Sequence, residues 1–158
     1  MRLELTDVAQ CRFASVDPWT LLLPNVDFTL HTGKKSEANP QVFKDQFCEF
    51  LDGQPNVVHI YTDGSKYHTG VAAAAVSNGR LLLCRLRNNA SIFTAEAPAI
   101  ILALKIVDTT NENKFYIFSD SLSCLQALQY PNWGNPVILE IVEKVHHLQT
   151  AHKEIKFC

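Results

Sequence analysis

The rhythm of apolar and polar positions changes near residue 57. Before it, residues 1–38 show little periodicity, and "DPWTLLLPNVDFTLHTGKKSEANP" is interrupted by prolines. That stretch predicts an extended arm with a short strand around Val26–Leu30. Asn39 followed by Pro40 is a helix start, a capping residue ahead of proline at the first helical position. Val42, Phe43, Phe47, Phe50 and Leu51 make one apolar stripe, so 40–52 is predicted as a short amphipathic helix, with Gly53 and Pro55 to end it.

From residue 57 the pattern sharpens. An apolar run through Val57, Val58, Ile60 and Tyr61 predicts a strand over 57–62. "VAAAAVS" (71–77) and "RLLLCRL" (80–86) flank Asn78-Gly79, a strong short-range hairpin signal. The alanines of the 70s strand leave room for something to pack close. A helix is predicted over 94–108, burying Ala97, Ile100, Ile101, Leu104 and Val107, then a strand at 114–118 and a helix at 121–129 with Leu122, Leu125 and Leu128 inward. "YPNWGNP" is a break. Asn135 and Pro136 open another helix, with Ile138, Ile141, Val142, Val145 and Leu148 at three- and four-residue spacing, and "EIKFC" starts a last strand. The chain divides on this reading into an arm or linker over 1–56 and an α/β domain over 57–158.

Following direction along these elements puts three acids on one rim. With the first strand upward, the 70s strand descends and the 80s strand rises. The helix then descends, and the 114–118 strand rises parallel to the first, as crossover connections require. Asp63 tops the first strand behind a tight turn at 64–70, Asp120 follows the top of the 114–118 strand, and Glu96 lies in the first turn of a helix that starts at the top. Each has a bland explanation: Asp63-Gly64 as a turn, Glu96 as a partner of the helix dipole, Asp120 as the cap of the next helix. Together they repel, each like-charge pair costing about 4 kcal/mol at ~4 Å and an effective dielectric near 20. A shared divalent cation relieves that cost, and magnesium suits an all-oxygen site.

Composition narrows the classes. With 158 residues, 47% of them hydrophobic and 19% charged, the chain is of ordinary globular composition and long enough for one domain plus an arm. No apolar run approaches membrane-spanning length, and "MRLELTDVAQ" does not read as a secretory signal, so an intracellular setting is expected. Five cysteines, far apart and never in a C-x-x-C pair, argue against a disulfide frame or a zinc knuckle, and the spacing of His146, His147 and His152 fits no metal-ligand pattern. Net charge is −2, with five basic against eight acidic residues in the arm and nine against eight in the domain. Neither part has the basic excess of a protein that binds nucleic acid chiefly by neutralising phosphate, so a nucleic-acid function must rest on a local site.

"YTDGS", "TAEAPAI" and "IFSDS" resemble, in order and spacing, the first three acidic motifs of the ribonuclease H family. "SIFTAE" and "KFYIFSDSLSCLQAL" are most similar to the ribonuclease H domain that ends the reverse transcriptase polyproteins of animal non-LTR retrotransposons. "PWTLLLPNVDF" and "PQVFKDQFCEFL" resemble the segment that joins polymerase to ribonuclease H there. The resemblance spans roughly residues 17–158. It implies a mixed five-stranded sheet flanked by helices, an RNA–DNA hybrid as substrate, an upstream reverse transcriptase domain as partner, and two Mg2+ ions, with Mn2+ as an alternative. Asp63 would bridge both ions, and Glu96 and Asp120 would hold the one that stabilises the leaving oxygen. Backbone near Gly64, Ser65 and Ala95 would meet the minor groove; Arg85 and Arg87 would contact phosphate, or are the charges of a solvated strand end.

Two departures qualify the resemblance. The family continues into a His-containing loop and a helix with a fourth aspartate, whereas the sequence stops at Cys158, which implies weakened catalysis and exposed apolar sheet surface. Pro98, two residues after Glu96, is expected to disturb the helix and the aim of Glu96. A non-catalytic or co-opted nucleic-acid-binding protein with the same fold is the alternative expectation.

Overall fold

The computed structural model describes residues 16–30, 40–54, 56–68, 70–87 and 91–158, without the side chains of Pro40 and Phe43. The expected helix cap at Asn39 and the arm over 1–15 and 31–38 lie outside these residues. The described elements are β1 (Asn25–Val26), α1 (Pro40–Asp52), β2 (Val58–Tyr67), β3 (Gly70–Ser77), β4 (Arg80–Leu86), α2 (Ile92–Asp108), β5 (Lys114–Ser119), α3 (Leu122–Gln129), α4 (Pro136–Thr150) and β6 (Glu154–Phe157).

One sheet in the order β1-β6-β5-β2-β3-β4 organises the chain. The Asn78-Gly79 turn has φ of 42° and 78°, the doubly left-handed geometry of a tight hairpin. It sets β3 antiparallel to β4, while β2 is antiparallel to β3 and parallel to β5. The sheet has six strands where the resemblance implies five. The sixth is the two-residue β1 of the arm, parallel to β6, shorter than the strand expected over Val26–Leu30 and starting one residue earlier. Asp27 N–H extends the pairing by donating to Phe157 O at 2.8 Å.

Alternation within the strands separates two faces. Val58, Ile60, Val71, Ala73, Ala75, Phe115, Ile117, Ile155 and Phe157 are buried on the face that takes α2 and α4. Helix α2 lays Ala99, Ile100, Ala103, Leu104 and Val107 against that face, and Ile138, Ile141, Val142 and Val145 of α4 join the same core. Ile101, expected in the buried face of α2, is only partly buried. Leu21 of the arm is 7% exposed and belongs to this core. The opposite face carries Tyr61, Tyr116 and Phe118, with α1 set on it through Phe47 and Phe50. Val76, Leu81 and Leu83, farther along that face, are exposed.

A charge clamp fixes the arm. Asp27 Oδ2 lies 2.7 Å from Lys156 Nζ of β6, and Thr29 N–H donates to Asp27 Oδ1 at 2.8 Å. Burial works against the Asp27 charge, but the hydrogen bonds from Lys156 and Thr29 outweigh it and hold the carboxyl down at about 2, below its ordinary 3.8. A carboxyl lowered by folding stabilises the native state above its unfolded pKa, and that contribution fades as pH falls through the folded one. Acid unfolding should therefore show a loss of about 1–2 kcal/mol between roughly pH 4 and pH 2. Asp27→Asn should remove this component, leaving the protein weaker at pH 7 with a flatter acid limb. Equal acid limbs in the two proteins would contradict it.

Candidate active site

The end of the sheet is defined by where one ladder stops and another continues. On its β5 side, β2 pairs as far as Thr62↔Ser119, whereas on its β3 side it pairs on through Asp63↔Ala74 and Gly64↔Ala73 to Tyr67↔Gly70. The strand therefore does not end in a turn at Gly64, as the sequence suggested. Backbone pairing with β3 carries it five residues beyond the expected end. Asp63 is nonetheless the first β2 residue past the β5 ladder, and Asp120 is the first residue after β5. Adjacent parallel strands run about 4.8 Å apart, so the two acids follow a pair of neighbours on adjacent strands, Thr62 and Ser119. Both are exposed.

Two hydrogen-bond ties hold this end. Thr62, buried on the α2 face, donates its hydroxyl to Phe118 O at 3.0 Å, directly below the acids. On the far side of β5, Cys158 N–H donates to Ile117 O at 2.9 Å and Ser119 N–H donates to Cys158 O at 3.0 Å.

Glu96 arrives from above the other face. Ser91 caps α2, accepting from Thr94 N–H at 3.0 Å, so the helix starts two residues before the expected 94. Glu96 thus sits past the first turn, and the helix dipole no longer accounts for it. It continues the stripe of Ala99, Ile100, Ala103 and Val107 and is 7% exposed. Pro98 becomes the seventh helical residue and α2 runs on unbroken through it. Burial of Ala97, Ala99 and Ile100 around the proline holds the helix despite the missing N–H.

Gly64 allows the approach. A Cβ at this position would lie 2.7 Å from Glu96 N, 2.8 Å from the Ala95 carbonyl carbon and 2.8 Å from Glu96 Cδ. Gly64 and the fully buried Ala95, both expected to line a minor groove, are packed against each other. Behind Glu96 lies Cys124 of α3, whose thiol is pushed up by burial and by the Glu96 charge, against a lowering hydrogen bond from Ser121. Helix α3 is capped by Ser121, which accepts from Cys124 N–H at 3.4 Å, so Asp120 is not the cap.

Of the remaining expected contacts, Ser65, Ala72 and Arg85 stand in one cross-strand row, next to the row of Asp63, Ala74 and Leu83. Ala72 and Ala74 form a low floor between them, while Ala73 and Ala75 are the alanines that admit α2. Arg87 follows the end of β4 and is exposed.

All three acids offer only oxygen, the donor type a hard divalent cation takes. The structure brings them to one end of the sheet but does not gather them: among the described residues, no group of three or more His, Cys, Asp and Glu could hold a metal ion.

No family model matches the sequence, and no curated protein matches it either. Solved structures do match the fold. The LC11 ribonuclease H1 in complex with an RNA/DNA hybrid gives a TM-score of 0.51 at 18% identity, covering 64% of this chain and 83% of that one. The fold is that of ribonuclease H. Ribonuclease H1 from the halophilic archaeon Halobacterium salinarum NRC-1 gives a TM-score of 0.48 at 19% identity, covering 65% of this chain and 83% of that one.

Within this ribonuclease H fold, sequence reasoning gave Thr62, Cys124 and Phe47 no place at the site. Thr62 carried a readable signal, a polar residue at an inward position of an apolar run. Cys124 and Phe47 carried none beyond membership of an apolar stripe. No described helix is long and apolar enough to cross a membrane.

Proposed function

We propose that the chain is a divalent-metal-dependent endonuclease that cleaves the RNA strand of RNA–DNA hybrids, with Asp63, Glu96 and Asp120 as its working carboxylates. One observation carries the reading: two acids each follow the last β2–β5 pair, Thr62↔Ser119, and a third is packed over Gly64 on a helix that only a glycine at that position admits. The ribonuclease H fold supports it, as does the solved relative that holds a hybrid.

Asp63, Glu96 and Asp120 would hold Mg2+, or Mn2+ in its place. The ion would supply charge stabilisation at the phosphate and a nucleophilic water at neutral pH. The chain's own groups position the substrate. Ser65 and Arg85, aligned across the alanine floor, offer a hydroxyl and a guanidinium to the sugar-phosphate backbone, with Arg87 beyond them. A 2′-hydroxyl in that path distinguishes RNA from DNA. The motif residues of β5–α3 and of the arm support a place downstream of a reverse transcriptase in an intracellular retroelement polyprotein, with residues 57–158 as the nuclease domain and 1–56 as its joining segment.

Asp63→Asn should lower cleavage of a labelled hybrid in Mg2+ by about 100-fold or more, since one charge at the reacting phosphate is lost. Equal rates for the two proteins would remove the catalytic assignment. A second reading, a hybrid-binding protein without catalysis, is favoured by the ungathered acids. It predicts hybrid binding with no metal-dependent product from the unaltered chain.

A further inference from the structure

The N-terminal helix is set against the same end of the sheet as the acids. Tyr61 and Phe118 are direct cross-strand partners, and their rings stack at 5.2 Å with 19° between planes. Side chains two apart on a strand share a face and lie about 6.7 Å apart, so this ring pair sits one pleat below Asp63 and just below the end of β5 that leads into Asp120. Phe47 of α1 rests on the pair, 5.3 Å from Phe118 edge-on and 6.5 Å from Tyr61. One turn farther on, Phe50 packs at 5.7 Å from Tyr116 and 6.2 Å from Phe118. Gln54, just past the helix, accepts from the Tyr116 hydroxyl at 3.0 Å. Helix α1 therefore runs away from the acid end, with Phe47 nearer to it than Phe50.

Beyond Thr62↔Ser119 no backbone pairing joins β2 to β5. The spacing of Asp63 and Asp120 is set by what ties that final pair. On one face the tie is the Thr62 hydroxyl on Phe118 O. On the other it is the Tyr61–Phe118 stack, and its lid is Phe47. The stack leaves Phe118 at 7% exposure but Tyr61 at 38%, so α1 covers the β5 ring fully and the β2 ring in part.

We propose that Phe47 is a positioning residue for Asp63 and Asp120, so that the N-terminal helix is a working part of the metal site rather than a tether. The inference rests on the reading of these two acids, with Glu96, as metal-holding carboxylates. Removing the Phe47 ring exposes the stack and lets the two strand ends splay, which separates the carboxylates without touching them.

The test compares the full chain with Phe47→Ala, Phe47→Leu and Val42→Ala, the last a half-exposed position on the same helix. Two quantities are read: amide hydrogen exchange at residues 62–64 and 119–121, and Mn2+ affinity by calorimetry. Phe47→Ala should speed exchange at those amides about 10-fold or more, as expected when a local tie is released. It should also weaken Mn2+ binding about 5-fold or more. Phe47→Leu, which still fills the space, should restore both to within about twofold, and Val42→Ala should change neither. Exchange at those amides unchanged in Phe47→Ala would overturn the inference, whatever the metal does. Faster exchange in a chain that binds no Mn2+ would support the tie through Phe47 and overturn the metal-site reading above.

Discussion

Gly64→Ala is expected to reduce hybrid cleavage by about 100-fold or more while leaving the three acids in the chain, because a displacement near 1 Å at a reacting constellation costs that much. The atoms that a Cβ would meet are backbone N and carbonyl carbon of α2 and the Cδ of Glu96, all within 2.8 Å. The Glu96 carboxyl carbon can swing aside, but the other two are backbone atoms, so the helix itself has to move. Overpacking of this kind also costs stability, about 1–3 kcal/mol. The two effects separate by measurement. Hybrid affinity in Ca2+, taken with cleavage rates in Mg2+, should show a fall in turnover larger than any fall in binding, and calorimetry should give a lower but cooperative melting transition. A Gly64→Ala protein with unaltered turnover would mean that α2 has slack at this point and that Glu96 does not depend on residue 64 for its aim.

Phe115→Ala should be the most destabilising of the predicted substitutions, at about 3–5 kcal/mol. Phe115, the second residue of β5, is fully buried and paired with Val58 on one side and Ile155 on the other. Lys153 Nζ stands 5.6 Å from its ring centre, after donating to the Thr110 and Glu112 carbonyls. Truncation opens a cavity where β2, β5 and β6 all meet the helical layer, and Lys153, held by its two carbonyls, is not free to fill it. Against a total stability of about 5–15 kcal/mol, a loss of that size brings the domain near its threshold. Chemical denaturation should show the midpoint falling with little change in slope. A shift worth less than about 1 kcal/mol would show that the core closes around the deletion, contrary to dense packing.

These two positions differ in how readable they were. Phe115 follows from the alternation of "KFYIF", since a strand with one apolar face must bury its second residue when it buries its fourth. Gly64 read as half of an Asp-Gly turn. Its actual constraint is an approach by Ala95 and Glu96, residues more than thirty positions away, which no local pattern encodes. The expected end of β2 failed for a related reason. Asp, Gly and Ser look like strand breakers, yet the ladder to β3 supplies Asp63 through Tyr67 with backbone partners that local propensity does not count. Helix α2 began two residues earlier than expected because Ser91 and Thr94 both offer a capping hydroxyl, and only the fold shows which one accepts a backbone N–H.

Local chemistry by itself determined the element types, the Asn78-Gly79 hairpin, the proline-led start of α4 and the parallel return of β5. Each rests on side-chain period or on turn stereochemistry a few residues long. It also placed Asp63, Glu96 and Asp120 at one end of the sheet, because strand direction follows from chain order. Tertiary structure decided the rest: the sixth strand that Asp27 and Lys156 clamp in place, the closeness of Glu96 to Gly64, and the seat of Phe47 beneath the acids. Those features depend on contacts between segments 30 to 130 residues apart. Their energies come from burial and from pairing across space, which arise only when the whole chain has collapsed around one core.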